Sequence, residues 1–356
     1  QMLQPPVVRR GTGYQPKIAA YSWLQRRTSA ELTRAVSLLS VVAKPQKLLL
    51  LDTASLYFRA YFGIPDTVRA PDGTPVNAVR GLLDFIARLV SDYRPSHLAC
   101  CWDNDWRPSW RVELIPSYKG HRVLSAVSGG VDVEITPDPL VVQVPIIVDV
   151  LDALGLAIVG ADGYEADDVI GTLSTQAGMP VDIVTGDRDL FQLVDDGRQV
   201  RVLYTARGVG RLEQVTDETV VRKYGVLPEQ YADFATLRGD TSDGLPGVAG
   251  VGEKTAASLL ATYGDLDGVL AAAADNASGL AAALRGKVLA AADYLAVAPK
   301  VVAVDRQLAL PPIDLAIPRP APRDPHRLEN LTNQWGLGGA VHRAVTALSG
   351  VPHPRR

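Results

Sequence analysis

The sequence predicts an α/β fold, a mostly parallel central sheet flanked by helices, continued by a helical region and interrupted once by a long irregular segment. Three observations carry this reading. Short apolar runs alternate with helically spaced apolar positions from Lys47 to about Thr216. Beyond that point the strand pattern stops and Ala-rich helical periodicity takes over. A hydrophobic share of 47% over 356 residues is enough to bury a sizeable core and excludes disorder as the main state.

Residues 1–46 read as an extension without recognisable chemistry. Thr28 and Glu31 have capping-box spacing at the head of a short amphipathic helix, Ser29 to Val42. Ala35–Ala43 imitates the apolar part of an export signal, but the polar stretch before it and Lys44-Pro45 after it are the wrong flanks. No run reaches the roughly 18 apolar residues of a membrane span, so a cytoplasmic protein without a membrane partner is expected.

Lys47–Leu51 is the first strand candidate, and Val79, Leu82, Leu83, Ile86, Leu89 and Val90 mark a helix broken by Pro95. His97–Trp102 is the second strand candidate. Its adjacent Cys100 and Cys101 face opposite ways on a strand, which excludes both a disulfide and a Cys-based zinc site. Leu156–Val159, Val181–Thr185 and Val200–Tyr204 follow. The segment from Arg107 to Pro139 breaks the rhythm, and a structureless stretch of that length more often serves function than packing. The expected organisation is an extension (1–46), an α/β core (47–215), a helical region (216–309) and a proline-rich tail (310–356) that wraps the surface.

The acids are placed with more pattern than the apolar residues require. Asp52, Asp103, the trio Glu165, Asp167 and Asp168, and the pair Asp187 and Asp189 each follow a strand candidate. On a parallel sheet all seven converge on one edge, where open α/β folds build their sites. Two unit charges at 4 Å repel by about 4 kcal/mol at an effective dielectric near 20, so the cluster must protonate or hold divalent cations. Mg²⁺ or Mn²⁺, two or more ions, suits such oxygen-rich surroundings better than zinc. Glu165 and Asp168, three apart, share a helix face and let one turn serve more than one ion. The competing reading makes each acid an independent helix cap; recurrence at four strand ends weighs against capping alone. Paired ions would clamp the attacking and leaving oxygens of a phosphodiester, with no protein nucleophile needed. Asp240 and Asp243 add a further acidic pair where the helical region begins.

With 36 basic against 39 acidic residues the net charge is only −3, so nucleic-acid binding requires cations gathered on one face. Two places offer them. The stretch from Gly244 to Ala256, with Gly247, Gly250 and Gly252 before Lys254 and Thr255, has the pattern of a helix–hairpin–helix spanning 244–262, whose backbone N–H groups grip phosphates. Lys119 and Arg122, three apart, would aim at one side of a helical turn and hold a phosphate over the acids, with Tyr118 stacking on a base. A solvated basic turn is the alternative for this second place.

These pieces, LLLLDTASLYFRAY, CWDND, SYKGHR, GYEADDVIGTL, TGDRDLFQLV and LRGDTSDGLPGVAGVGEKTA, resemble in content and order the 5′-nuclease superfamily over Lys47 to Leu295. That superfamily includes flap endonucleases and the 5′–3′ exonuclease domain of bacterial DNA polymerase I. The resemblance implies a PIN-like nuclease core and a two-metal structure-specific 5′ nuclease, stand-alone and bacterial, working in replication and repair, including RNA primer removal. Asp52, Asp103, Glu165, Asp167, Asp168, Asp187, Asp189, Asp240 and Asp243 would be direct or water-mediated metal ligands. Lys119 and Arg122 would contact the scissile phosphate. Gly247, Gly250, Gly252, Lys254 and Thr255 would grip duplex DNA, with K⁺ at the hairpin. Residues 107–139 would form the arch or clamp through which a 5′ strand passes, although the segment is Gly/Ser-containing and carries Asp132, Glu134 and Asp138, a departure from the family pattern that weighs against a helical arch with flap contacts. DNA with flaps, nicks or RNA-primed ends, polymerase and ligase partners, a monomeric state and nucleoid association complete the expectation. The rival readings are a PIN-like ribonuclease, a catalytically silent DNA-junction binder, and a small-molecule phosphatase using Asp52 as nucleophile.

Overall fold

The structure, a computed structural model, describes residues 46–127 and 129–350. The capping box at Thr28, the helix from Ser29 and the apolar run at Ala35–Ala43 lie outside the described residues. Six strands form the main sheet. β1 (Leu48–Asp52), β2 (His97–Cys101), β5 (Ala157–Val159), β6 (Val181–Thr185) and β7 (Val200–Tyr204) are parallel, and β8 (Glu213–Val215) closes one edge antiparallel to β7. The order is β5-β2-β1-β6-β7-β8. The chain builds leftwards from β1 and then returns to add β6 on its other side. A topological switch point therefore lies between β1 and β6, at whose carboxyl ends a crevice opens.

Alternation of side chains along each strand divides the core in two. Leu48, Leu50, Ala99 and Cys101 face one layer; Leu49, Leu51, Leu98 and Cys100 face the other. The opposed thiols match the sequence expectation. The second layer is covered by α1 (Thr53–Gly63), α2 (Asn77–Tyr93) and, beyond α3 (Ser109–Leu114), α4 (Gln143–Leu154). The apolar positions Val79, Leu82, Leu83, Ile86, Leu89 and Val90 of α2 are all buried, and the helix ends at Arg94 in a left-handed conformation just before Pro95. Opposite lies α5 (Ala166–Gln176), with α6 (Asp217–Tyr224), α7 (Tyr231–Arg238), α8 (Glu253–Tyr263), α9 (Leu266–Ala274), α10 (Ala282–Ala290) and α11 (Ala292–Val302) forming the helical region.

Two expectations change. The irregular segment holds α3 and a short antiparallel hairpin, β3 (Val123–Ser125) with β4 (Val133–Glu134), where the sequence shows no apolar periodicity. The tail is only partly a surface wrap. Leu315 and Ile317 bond to Leu98 and Ser96 at the sheet's lower edge, but α12 (Pro325–Trp335) and α13 (Gly338–Gly350) pack back over α4 and α2. Leu328, Leu337, Ala340, Val341, Ala344 and Leu348 complete the second core layer. The prolines obscured this because they precede the helices; Pro325 then serves as a first-turn residue behind the Asp324 cap.

Leu337 is fully buried in the core layer that α2 helps to build. Leu337→Ala should lower unfolding free energy by about 2–5 kcal/mol in urea titrations, as for other large-to-small core changes; a loss under about 1 kcal/mol would show that the tail helices are dispensable to the core.

Candidate active site

The carboxyl ends of β1, β2 and β6 open on a basin of about 540 Å³ lined by Asp52, Asp103, Glu165, Asp167 and Asp187, with Lys119 and Arg122 on its rim. Register explains the convergence. Asp52 sits level with Cys101 of β2, and Leu51 with Val184 of β6, so the residues just past each strand meet at one height. A smaller recess behind the basin is lined by Glu165, Asp167, Asp189 and Asp243.

Most of these carboxylates cap backbone and face the basin together. Asp52 accepts from Ser55 N at 3.2 Å, capping α1, and from the Thr185 hydroxyl at 2.7 Å. Asp103 accepts from Ala166 N at 2.7 Å, and Asp187 from Asp189 N at 2.8 Å. Glu165 heads α5 and accepts from the Tyr118 hydroxyl at 2.9 Å and from Lys119 Nζ at 2.9 Å. Capping and site-building, opposed in the sequence reading, coexist here: one N–H fixes each capping carboxylate without saturating its lone pairs.

Asp168 corrects the sequence reading. Arg111 clamps it with two bonds of 2.7 and 2.8 Å, and the N–H groups of Asp305 (2.8 Å) and Glu165 (3.3 Å) take up the remaining capacity. It is fully buried and does not line the basin. Three-residue spacing from Glu165 made it a ligand candidate on the helix face; tertiary structure turned it into the partner of a buried arginine. Arg111 also donates to Val301 O at 3.1 Å and lies over the Trp110 ring.

Tyr118 is a second correction. It is 3% exposed, its hydroxyl is spent on Glu165, and it cannot stack on a base. Aromatic surface at the basin comes instead from Tyr57, Phe58 and Trp102. Tyr57 and Phe58 lie in the LYFRAY motif, where their position soon after the Asp52 cap was the available signal.

Lys119 adopts a left-handed conformation, and a 3₁₀ turn, Gly120–Arg122, comes next, so both cations reach the rim without the expected helical turn. Arg122 donates to Asp243 at 3.1 Å and to Ser242 O at 2.9 Å. Asp240 is held by Ser242 and by Arg238 at 3.2 Å. Both acids belong to the connection between α7 and α8, so the hairpin begins earlier than the expected 244–262. Gly247 is needed for packing, since a Cβ there would meet Gly239 N at 2.5 Å. Gly250, Gly252 and Lys254 are exposed, and Thr255 half-buried, at the head of α8. Lys287 of α10 adds a cation that the sequence reading missed, 3.2 Å from Gly250 O.

Burial dominates the electrostatics of these carboxyls, and like charge adds to it. Burial first, then Asp103, pushes the Asp52 carboxyl up to about 7; burial does the same to Glu165 against the lowering pull of Lys119 and Arg111, also to about 7. Asp103 is raised by burial. Asp167 and Asp189 lie well above the ordinary range through burial and Asp187. Burial pulls Asp240 upward too, but the Ser242 bonds and Arg238 leave it below its usual value. Among the described residues no three potential ligands close on one point as a finished metal shell. The donors nevertheless suit hard cations that keep several waters: they are carboxylate oxygens with spare lone pairs, and the buried Asp189 Oδ1 has no hydrogen-bond partner.

Residues 47–225 match the family described as 5′-3′ exonuclease, N-terminal resolvase-like domain, and residues 226–323 match its C-terminal SAM fold. The chain belongs to the 5′–3′ exonuclease family. A relative from Streptomyces coelicolor named 5′-3′ exonuclease is 62% identical over 301 residues, covering 85% of this chain and 100% of its own. A DNA polymerase I from Mycobacterium bovis is 44% identical over 250 residues, 69% of this chain but only 25% of the polymerase. Among solved structures, a bacteriophage T5 flap endonuclease in a pseudo-enzyme-product complex with DNA and metal ions shares the fold at a TM-score of 0.54 and 14% identity, over 86% of this chain and 99% of that one. As a member of this family the chain is a nuclease that hydrolyses phosphodiesters, which removes the silent-binder and small-molecule phosphatase readings. The helices α12 and α13 lie beyond both matched regions.

This geometry sets two expected outcomes. Carboxyls raised above their unfolded values favour the protonated native state, so their contribution to stability is full below about pH 4 and is lost as pH rises through about 7. In EDTA, urea midpoints should therefore fall between about pH 5 and about pH 8, and Mg²⁺ should recover part of the loss at the upper end; a midpoint that rises over this interval in EDTA contradicts the assignment. Arg111→Met strands the buried Asp168 charge and should cost about 3–5 kcal/mol of stability, read from the same titrations.

Proposed function

We propose that this nuclease acts on DNA carrying 5′ flaps, nicks or RNA-primed ends, cutting near single-strand/duplex junctions in replication and repair with bound Mg²⁺ or Mn²⁺. The observation that carries the reading is the single basin uniting Asp52, Asp103, Glu165, Asp167 and Asp187 with Lys119 and Arg122. Those five carboxylates, with Asp189 and Asp243 in the recess behind, would hold the ions, and Asp240 would act through the loop that carries Asp243. When bound, such ions activate water and stabilise the departing oxygen. The protein's own groups divide the remaining work. Lys119 and Arg122 supply positive charge on the rim, where a scissile phosphate develops negative charge during displacement. Tyr57, Phe58 and Trp102 offer apolar faces to bases beside it. Gly250, Gly252, Lys254, Thr255 and Lys287 form a backbone-and-cation surface suited to duplex phosphates, with K⁺ a candidate at the same hairpin. Because that surface reads no base edge, selection rests on the shape of the junction.

The solved flap endonuclease complex with DNA and metal ions supports this substrate and cofactor class. The DNA polymerase I relative favours partnership with a polymerase, and a ligase would act next to seal the nick. We place the enzyme at the bacterial nucleoid as a monomer; among the described residues no helix is long and apolar enough to cross a membrane.

Asp187→Ala should reduce cleavage of a 5′-labelled flap substrate by about 100-fold or more without weakening DNA binding in EDTA, and should weaken Mn²⁺ binding by calorimetry. Retained cleavage overturns the ligand assignment. Preference for single-stranded RNA over flap DNA would favour a PIN-like ribonuclease instead.

A further inference from the structure

The β3–β4 hairpin carries one carboxylate to the basin that lies outside both the strand-end pattern and the motifs shared with the superfamily. Glu134 on β4 pairs in register with Val123. The bond from Ile135 N to Arg122 O, at 2.7 Å, ties its strand to the turn that presents the two rim cations. The Glu134 side chain lines the same cavity as Asp52, Asp103, Lys119 and Arg122.

Neither cation is its ion-pair partner among the described residues. Lys119 is engaged by Glu165 at 2.9 Å, and Arg122 by Asp243 at 3.1 Å. Glu134 thus adds negative charge that no ion pair neutralises among the described residues, at the place where a phosphate backbone must enter. Burial raises its carboxyl against the lowering pull of Arg122 and, more weakly, Lys119, with Asp103 adding to the rise.

A metal ligand and an electrostatic gate would both put a carboxylate here, and the scaffold separates them. Asp52, Asp103 and Asp187 stand at the ends of buried sheet strands, which hold a ligand to the tolerance that coordination needs. Glu134 stands on a two-residue strand of a small outlying hairpin, whose Leu124 and Ile135 are 67% and 56% exposed. That support suits a group that must yield.

We propose that Glu134 is a specificity-determining residue whose carboxylate opposes entry of a phosphate backbone into the basin, so that DNA seats there only when divalent cations or displacement of the hairpin offset its charge. The inference rests on the nuclease reading above and concerns how DNA is admitted, not how it is cut.

Fluorescence-anisotropy titration of a 5′-flap DNA against the full chain, in EDTA and in Ca²⁺, tests this with wild type, Glu134→Gln and Glu134→Ala. In EDTA both variants should bind about threefold to tenfold more tightly than wild type, with a shallower salt dependence of the difference in Ca²⁺. Equal or weaker binding by both variants in EDTA overturns the proposal. So does a loss of Mn²⁺ affinity by calorimetry in Glu134→Gln without tighter DNA binding, which would make Glu134 a ligand. Wild type that binds no flap DNA in either buffer overturns the substrate reading itself and this inference with it.

Discussion

Repulsion among carboxylates held within one basin is the constraint to which the rest of this structure answers. Five strand-end acids line the cavity and two more stand behind it, most of them deprived of bulk water. A protein cannot collect such a group by hydrophobic burial alone, because each desolvated negative charge resists the next. Most of the acids are therefore anchored before they are confronted with their neighbours. Asp52, Asp103 and Asp187 are each fixed by a backbone N–H group, and Glu165 by a phenol and an ammonium. The Arg111–Asp168 pair stands behind them as a buried strut joining α3, α5 and the segment after α11.

This division of labour accounts for the two residues whose roles differ from their sequence reading. Asp168 and Tyr118 both belong to motifs full of site residues, yet both point into protein. Asp168 neutralises Arg111, and Tyr118 directs its hydroxyl at Glu165. They position the groups that line the basin and do not line it themselves. The connection between α7 and α8 shows the same economy. One end brings Asp243 to the recess behind the basin, where Asp243 O accepts from Lys119 N, while the other exposes Gly250 and Gly252. A single loop thus ties the acidic site to the surface proposed for duplex DNA, which fixes the distance between the two.

Much of the sheet was legible in the chain because buried parallel strands are short and apolar, and helices of one amphipathic face repeat at about 3.6 residues. Val181–Thr185 and Val200–Tyr204 form strands as the sequence predicts, and the apolar face of α2 is the one that is buried. The antiparallel β8, only three residues long, and the β3–β4 hairpin carry too few apolar positions to show a period. The helices α12 and α13 were hidden by the prolines ahead of them, which signal an interruption and carry no information about the elements beyond it.

That acids following the strands share one edge was determined by the sequence alone, since strand polarity and the placement of Asp52, Asp103 and Asp187 at strand ends, with Glu165 and Asp167 soon after β5, leave them one edge to meet on. Which oxygens stay free was decided only in three dimensions. Residue spacing states that Asp168 lies one helical turn from Glu165, but it contains no record of Arg111, 57 positions earlier, arriving to claim it. Nor does it state that Glu134 is carried to the same cavity by a hairpin. Charge attracts or repels through space, and its consequences become readable only when the chain has brought its distant parts together.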